Sequence, residues 1–144
     1  MPIPARVTLI TLGVADVPRA TAFYQALGWT MSTSSVAGEV SFFKLSNLVL
    51  AVWGHDDLAA DARAESGAVP GFRGVALAIN VESRDEVDRL LAAAVEAGGQ
   101  LPKPGHATDW GGYSGYFADP DGNLWEVAHN PGWPLGPDGL PVLP

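Results

Sequence analysis

The sequence predicts an α+β fold built from two tandem modules, each running strand, helix, strand, strand, strand. Three observations predict it. Val14-Ala15-Asp16 ahead of one amphipathic helix corresponds to Val81-Glu82-Ser83 ahead of a second, and Asn47-Leu48 ahead of one strand corresponds to Asn123-Leu124 ahead of another. A half of this size cannot bury both its helix and a whole sheet alone, whereas two halves together can. The expected layout is a single domain over residues 1–144. Module one occupies about 5–54, a linker 55–71, module two about 72–131, and a Pro/Gly-rich tail 132–144.

Residues 7–14 are β-rich and mostly apolar, which suits a strand covered on both faces. Asp16 offers a helix N-cap, and Pro18 falls in the first turn, where a missing N–H costs little. Ala20, Phe23, Tyr24 and Leu27 then recur at helical spacing before Gly28, so Phe23 and the following Trp29 are assigned to the core. Residues 42–45 and 48–53 read as strands joined by Ser46-Asn47. The segment 55–70 is small, polar and acidic, and reads as a loop with at most a short helical turn.

The second half repeats the order. Residues 74–81 form a strand, Ser83 caps a helix, and Glu86 three residues later completes a capping box. Val87, Leu90, Leu91, Ala94 and Val95 make its apolar face, and Gly98-Gly99 stop it. Strands follow at 113–118 and 124–128, joined by Asp119-Pro120-Asp121-Gly122. There Pro120 presets φ, the aspartates cap their own backbone and Gly122 takes a positive φ. One strand in each half is weakly marked: 30–35 or 36–40 in the first, and a segment around 100–106 in the second.

Composition excludes several function classes. No cysteine is present, which removes disulfides, thiol catalysis and thiolate metal sites. The best apolar run, residues 48–53, is strand-length, so no membrane span is expected. Residues 1–6 carry no basic region followed by an apolar stretch, so no export signal and a cytoplasmic location are expected. A net charge of −8 repels phosphate backbones, so nucleic acid is not an expected partner. That charge reads as serving solubility or, more sharply, as a preference for cationic ligands.

Asp119-Pro120-Asp121-Gly122-Asn123-Leu124-Trp125-Glu126 resembles the D-P-D-G-x-x-x-E signature of the vicinal-oxygen-chelate superfamily, the glyoxalase and bleomycin-resistance fold. Phe23-Tyr24-Gln25-Ala26-Leu27-Gly28-Trp29 resembles the F-Y-x-x-L-G-[WF] helix end of its first module, and Leu12-Gly13-Val14-Ala15-Asp16 its opening strand and cap. The resemblance covers roughly residues 5–131. It implies two βαβββ modules whose curled mixed sheets enclose a cleft, commonly in a homodimer.

The resemblance also implies four strand positions that hold a divalent metal in family enzymes. Carried over singly, they fall at Leu9, Leu50, Ala76 and Glu126. Their neighbours Thr8, Ile10, Val49, Ala51, Val75 and Leu77 include no His, Asp or Glu. One carboxylate cannot hold a catalytic divalent ion. No metal and no cofactor are therefore expected, and glyoxalase, extradiol dioxygenase and fosfomycin-transferase chemistries are not supported. The histidines do not replace the missing ligands. His55 falls in the linker, His106 in a Gly/Pro-rich stretch, and His129 lies three residues from Glu126, on the opposite face of a strand.

What remains is a cleft lined by Leu9, Leu50 and Ala76 around Glu126. Glu126 is either a paired core carboxylate or an acceptor for a ligand. The resemblance places Tyr116, three residues before Asp119, in the pocket. Trp53, Trp110 and Tyr113 lie at strand ends or in loops, where an aromatic serves as core or as a platform. The glycine-aromatic stretch 109–116 reads as a binding loop or a flexible hairpin tip. The tail 132–144 is too rich in Pro and Gly for a helix or central strand, and too apolar to float free, so it is expected on the domain surface or across a dimer partner. Two functions follow. One is metal-independent binding of a small aromatic or cationic molecule, as in antibiotic sequestration. The other is a metal-independent isomerase, cyclase or hydrolase with Glu126 as general base and Tyr116 as donor.

Overall fold

The computed structural model of the protein describes residues 3–67 and 71–143. Residues 1 and 2, residues 68–70 of the expected linker and the last residue of the tail lie outside the described residues. The chain divides into two compact units, Met1–Val69 and Pro70–Pro144. Both are mixed α+β, as the sequence predicts.

The first unit opens with β1 (Leu9–Val14) and α1 (Val17–Ala26). The Asp16 carboxylate accepts from Arg19 N at 3.1 Å, satisfying one of the donors that a helix start leaves free. The helix stops at Leu27, and Gly28 takes φ +95°. Strands β2 (Val40–Lys44) and β3 (Val49–Gly54) follow, in the sheet order β1-β3-β2. β3 runs parallel to β1 and antiparallel to β2. The weakly marked strand of this half survives only as isolated bridges, Met31 to Phe43 and Val36 to Val40. The polar segment after β3 begins with a short helix, α2 (His55–Asp61).

The helix α1 packs on one side of this sheet. Thr21 Oγ1 and Ser41 Oγ lie 2.7 Å apart, so Ser41 faces α1. Phe43 follows two residues later on the same side, opposite Leu50, and Val52 lies opposite Ser41. Tyr24, Phe43, Leu50 and Val52 have no accessible surface, and each such side chain contributes roughly 1.5–3 kcal/mol of burial. Phe23 is buried as expected, whereas Trp29 is only half-buried and stacks on Tyr24 with ring centres 5.5 Å apart.

The second unit holds β4 (Ala76–Asn80), α3 (Arg84–Glu96), β5 (Gln100–Ala107), β6 (Tyr113–Ala118) and β7 (Leu124–His129), in the sheet order β4-β7-β6-β5. The capping box forms with one variation: Ser83 Oγ accepts from Glu86 N at 3.1 Å, while Glu86 Oε2 reaches Glu82 N at 2.9 Å rather than the cap's own amide. Ser83→Ala is expected to cost about 1 kcal/mol, read as a lower urea midpoint at unchanged slope. Val87, Leu91 and Ala94 form the buried stripe of α3, whereas Val95, assigned to that stripe from spacing, is 45% exposed at the helix end.

The tail folds on itself. Leu135 bridges Pro141, and Val142 N donates to Pro134 O at 2.8 Å. No helix among the described residues is long and apolar enough to cross a membrane.

Candidate binding site

Register decides which side chains share the sheet face away from the helix. In the second unit, a Cβ on Gly115 would stand 2.6 Å from Leu91 Cδ1 of α3, so Gly115 faces the helix. Val127 lies opposite Gly115, and Ile79 opposite Val127, so that row faces α3 too. One residue along, alternation turns Ala78, Glu126 and Tyr116 to the other, open face, as one row across three strands. The next open-face rows are Asn80, Ala128 and Ser114 on one side, and Ala76, Leu124 and Ala118 on the other.

Tyr116 stands directly opposite Glu126. Both are half-buried, while Ala76 and Ala78 are exposed and leave room above β4. Among the described residues, no hydrogen bond or ion pair engages the Glu126 carboxylate, so its acceptor capacity is uncommitted. Burial, and secondarily the Glu126 charge, push the Tyr116 phenol above its ordinary value of 10.0. The folded chain thus holds that proton more tightly than the unfolded chain. The resulting stabilisation is fully present below the ordinary value and is lost as pH rises through the folded one. The Tyr116 ring, followed by its own NMR signals as Tyr116→Phe assigns them, should therefore titrate late. Glu126→Gln should move that titration downward only part of the way, because burial remains. A titration unmoved by Glu126→Gln would separate the two groups.

Edge strand β5 adds residues that the sequence reading left out. Gln100 lies opposite Ala118, Lys103 opposite Tyr116 and His106 opposite Ser114. Residues three apart on a regular strand alternate faces. Here register shifts fall between Gln100 and Lys103 and between Lys103 and His106. Each inserts one extra residue and resets the phase, so all three face the open side. Pro102 and Pro104, which cannot donate to a ladder, are tolerated because β5 has a free edge. His106 Nδ1 donates to Pro104 O at 3.3 Å.

Two expected site residues are not on an open face. Tyr113 lies in the helix-facing phase of β6: its hydroxyl donates to Asp88 of α3 at 2.8 Å, and Arg84 sits 5.4 Å from the ring centre. Asp88, through that hydrogen bond first, raises the Tyr113 pKa. Leu50 is fully buried on the α1 side of its sheet. The first unit's other face carries the buried Ala51 instead, opposite Thr11 and Phe42, with Leu9 in a flanking row and α2 against the Gly13–Trp53 row. Trp110 is half-exposed in the turn before β6, its ring folded against Gly112.

These faces carry Leu9 and Ala51 in the first unit, and Ala76 beside Glu126 in the second. Neither set offers the several oxygen or nitrogen ligands that a divalent ion needs. Among the described residues, no group of three or more His, Asp or Glu is placed to hold one. His129, whose Nδ1 donates to Val81 O at 3.2 Å, sits in the Tyr113 row on the helix side, away from Glu126.

No curated protein matches the chain. Its fold recurs in a glyoxalase-related enzyme from Fulvimarina pelagi, at 39% identity and TM-score 0.86, covering 97% of this chain and 99% of that one. A glyoxalase/bleomycin resistance protein/dioxygenase from Nocardioides shares the fold at 24% identity and TM-score 0.75, covering 94% and 93%. So does a lactoylglutathione lyase from Agrobacterium tumefaciens, at 24% identity and TM-score 0.65, covering 89% and 96%. The family model described as Glyoxalase/Bleomycin resistance protein/Dioxygenase superfamily matches residues 6–127. The register, the two-unit layout and that match agree: the chain belongs to the glyoxalase/bleomycin resistance protein/dioxygenase superfamily.

Proposed function

We propose that the chain binds a small aromatic or cationic organic molecule without a metal ion, on the open face built around Glu126, and that its role is sequestration of that molecule. One observation carries the reading: Glu126 presents a half-buried carboxylate opposite Tyr116 with no protein partner among the described residues. A carboxylate in that state is poised to accept hydrogen bonds from, or attract, a ligand. Ala76 and Ala78 beside it leave space, and the half-exposed Trp110 offers flat apolar area on the same sheet unit. The superfamily's description includes bleomycin resistance proteins, which is in keeping with sequestration.

A second reading is favoured by the Fulvimarina pelagi relative, which is described as an enzyme and shares 39% of its residues with this chain. On that reading Glu126 is a general base and the Tyr116 phenol a proton donor in an isomerase, cyclase or hydrolase. Calorimetry with a panel of aromatic and cationic antibiotics, on the wild type and on Glu126→Gln, separates the two. Stoichiometric binding without product, weakened at least tenfold by the substitution (about the strength of one charge-assisted hydrogen bond), supports sequestration. Turnover that disappears in Glu126→Gln supports the enzyme. If the wild type neither binds nor converts any member of the panel, the sequestration reading fails for that ligand class.

A further inference from the structure

We propose that Lys103 is an anion-holding end of the same site, so that the open face selects amphoteric molecules: an acidic group at one end, a hydrogen-bond donor at the other. The inference rests on the reading of Glu126 as the donor-binding end. The chain has only two lysines within a net charge of −8, and one of them stands in the row Lys103, Tyr116, Glu126. A regular strand would not place it there together with Gln100 and His106. Two successive register shifts in β5 do, and bulges of this kind recur where a strand must re-aim a side chain beside a functional site.

Pro104, directly after Lys103, clashes with helical backbone there and so favours the extended conformation. Among the described residues no carboxylate pairs with the Lys103 ammonium, so its charge is available. Lys103 and Glu126 lie two strands apart, roughly 10 Å between backbones. In the register of the sheet the two residues stand at opposite ends of the row, with Tyr116 between them. This spacing fits a short rigid acid with an amino or hydroxyl group at its far end.

The ordinary role of a lysine on an edge strand is to discourage pairing with another edge. Backbone amide NMR titrations of the full chain, with three probes run separately, decide between these roles. Benzoate carries only the acid, aniline only the donor, and para-aminobenzoate both. Benzoate should shift the amides of Lys103, Gly105 and His106, and para-aminobenzoate should shift these and the β7 amides around Glu126. Lys103→Ala should weaken both acids on the order of tenfold while leaving aniline unchanged, and Lys103→Arg should restore most of the loss. Glu126→Gln should weaken aniline and para-aminobenzoate but not benzoate.

If aniline reports on Glu126 while neither acid moves β5, the anion end is wrong and the Glu126 reading stands. If benzoate reports on Lys103 while aniline moves nothing in β7, the Glu126 reading fails and the anion end stands alone. Acid titrations unchanged by Lys103→Ala, with self-association promoted, would assign Lys103 to edge protection and overturn the proposal.

Discussion

Asp119→Ala is expected to destabilise the second unit by about 3 kcal/mol, the cost of stranding buried donors that a charged acceptor now satisfies. The side chain is 2% exposed. Its Oδ1 accepts from Asp121 N at 2.9 Å and Asn123 N at 2.8 Å, and its Oδ2 from Asn123 Nδ2 at 2.8 Å. The backbone closes around it, Asp119 N donating to Asn123 O at 3.0 Å and Gly122 N to Asp119 O at 2.9 Å, with Gly122 at φ +83°. Alanine leaves two turn amides without their acceptor. An asparagine in its place would keep one carbonyl oxygen for those amides but would present an NH₂ to the Asn123 amide donor, so Asp119→Asn should lose less than Asp119→Ala. Urea unfolding at constant slope measures both. A loss under about 1 kcal/mol for the alanine variant would mean that the turn holds without its carboxylate. The site is involved as well, because this turn sets Leu124 opposite Ala118 and hence Glu126 opposite Tyr116. Slippage by one residue would send Glu126 to the helix side.

The same turn explains what could be read in advance and what could not. Both long helices were legible because their caps, Asp16 and Ser83, and their buried stripes are local signals. The D-P-D-G turn was legible because each residue in it has one conformational task. The phase of β3 was not. Lys44 pairs with Val49 across residues 45–48, whereas Ala118 pairs with Leu124 across residues 119–123, so the first hairpin loop is one residue shorter. Matching Asn47 with Asn123 therefore moved the equivalent of Glu126 from Ala51 to Leu50, and one residue on a strand is the difference between one sheet face and the other. Tyr113 failed for a related reason: alternation of glycine and aromatic residues along 109–116 marks a hairpin but not its phase. Lys103 and His106 were missed because bulges replace a period of two by a spacing of three, and Pro102 and Pro104 left the strand around 100–106 weakly marked.

Gly115→Ala should cost the fold about as much as the Asp119 substitution, around 3 kcal/mol, for a steric rather than an electrostatic reason. A Cβ there would lie 2.6 Å from Leu91 Cδ1, 2.8 Å from Lys103 O and 2.9 Å from Gly105 N. Leu91 could turn aside, but the other two atoms are backbone of β5, and only a separation of β5 from β6 relieves them. Gly28→Ala supplies the contrast. Its φ is +95° and nothing lies within 4 Å of a Cβ, so its cost is the left-handed backbone alone, about 1–2 kcal/mol. Gly115→Val should be worse than Gly115→Ala, and should also displace the Lys103 carbonyl. Residual folded protein would then lose the benzoate shifts at Lys103 and His106 before the aniline shifts at Glu126, since the backbone atoms nearest the new side chain belong to β5. Equal, small losses for Gly28→Ala and Gly115→Ala in the same denaturant series would show that β5 does not approach β6 this closely. The alignment of Lys103 with Tyr116 and Glu126 would then lose its structural basis.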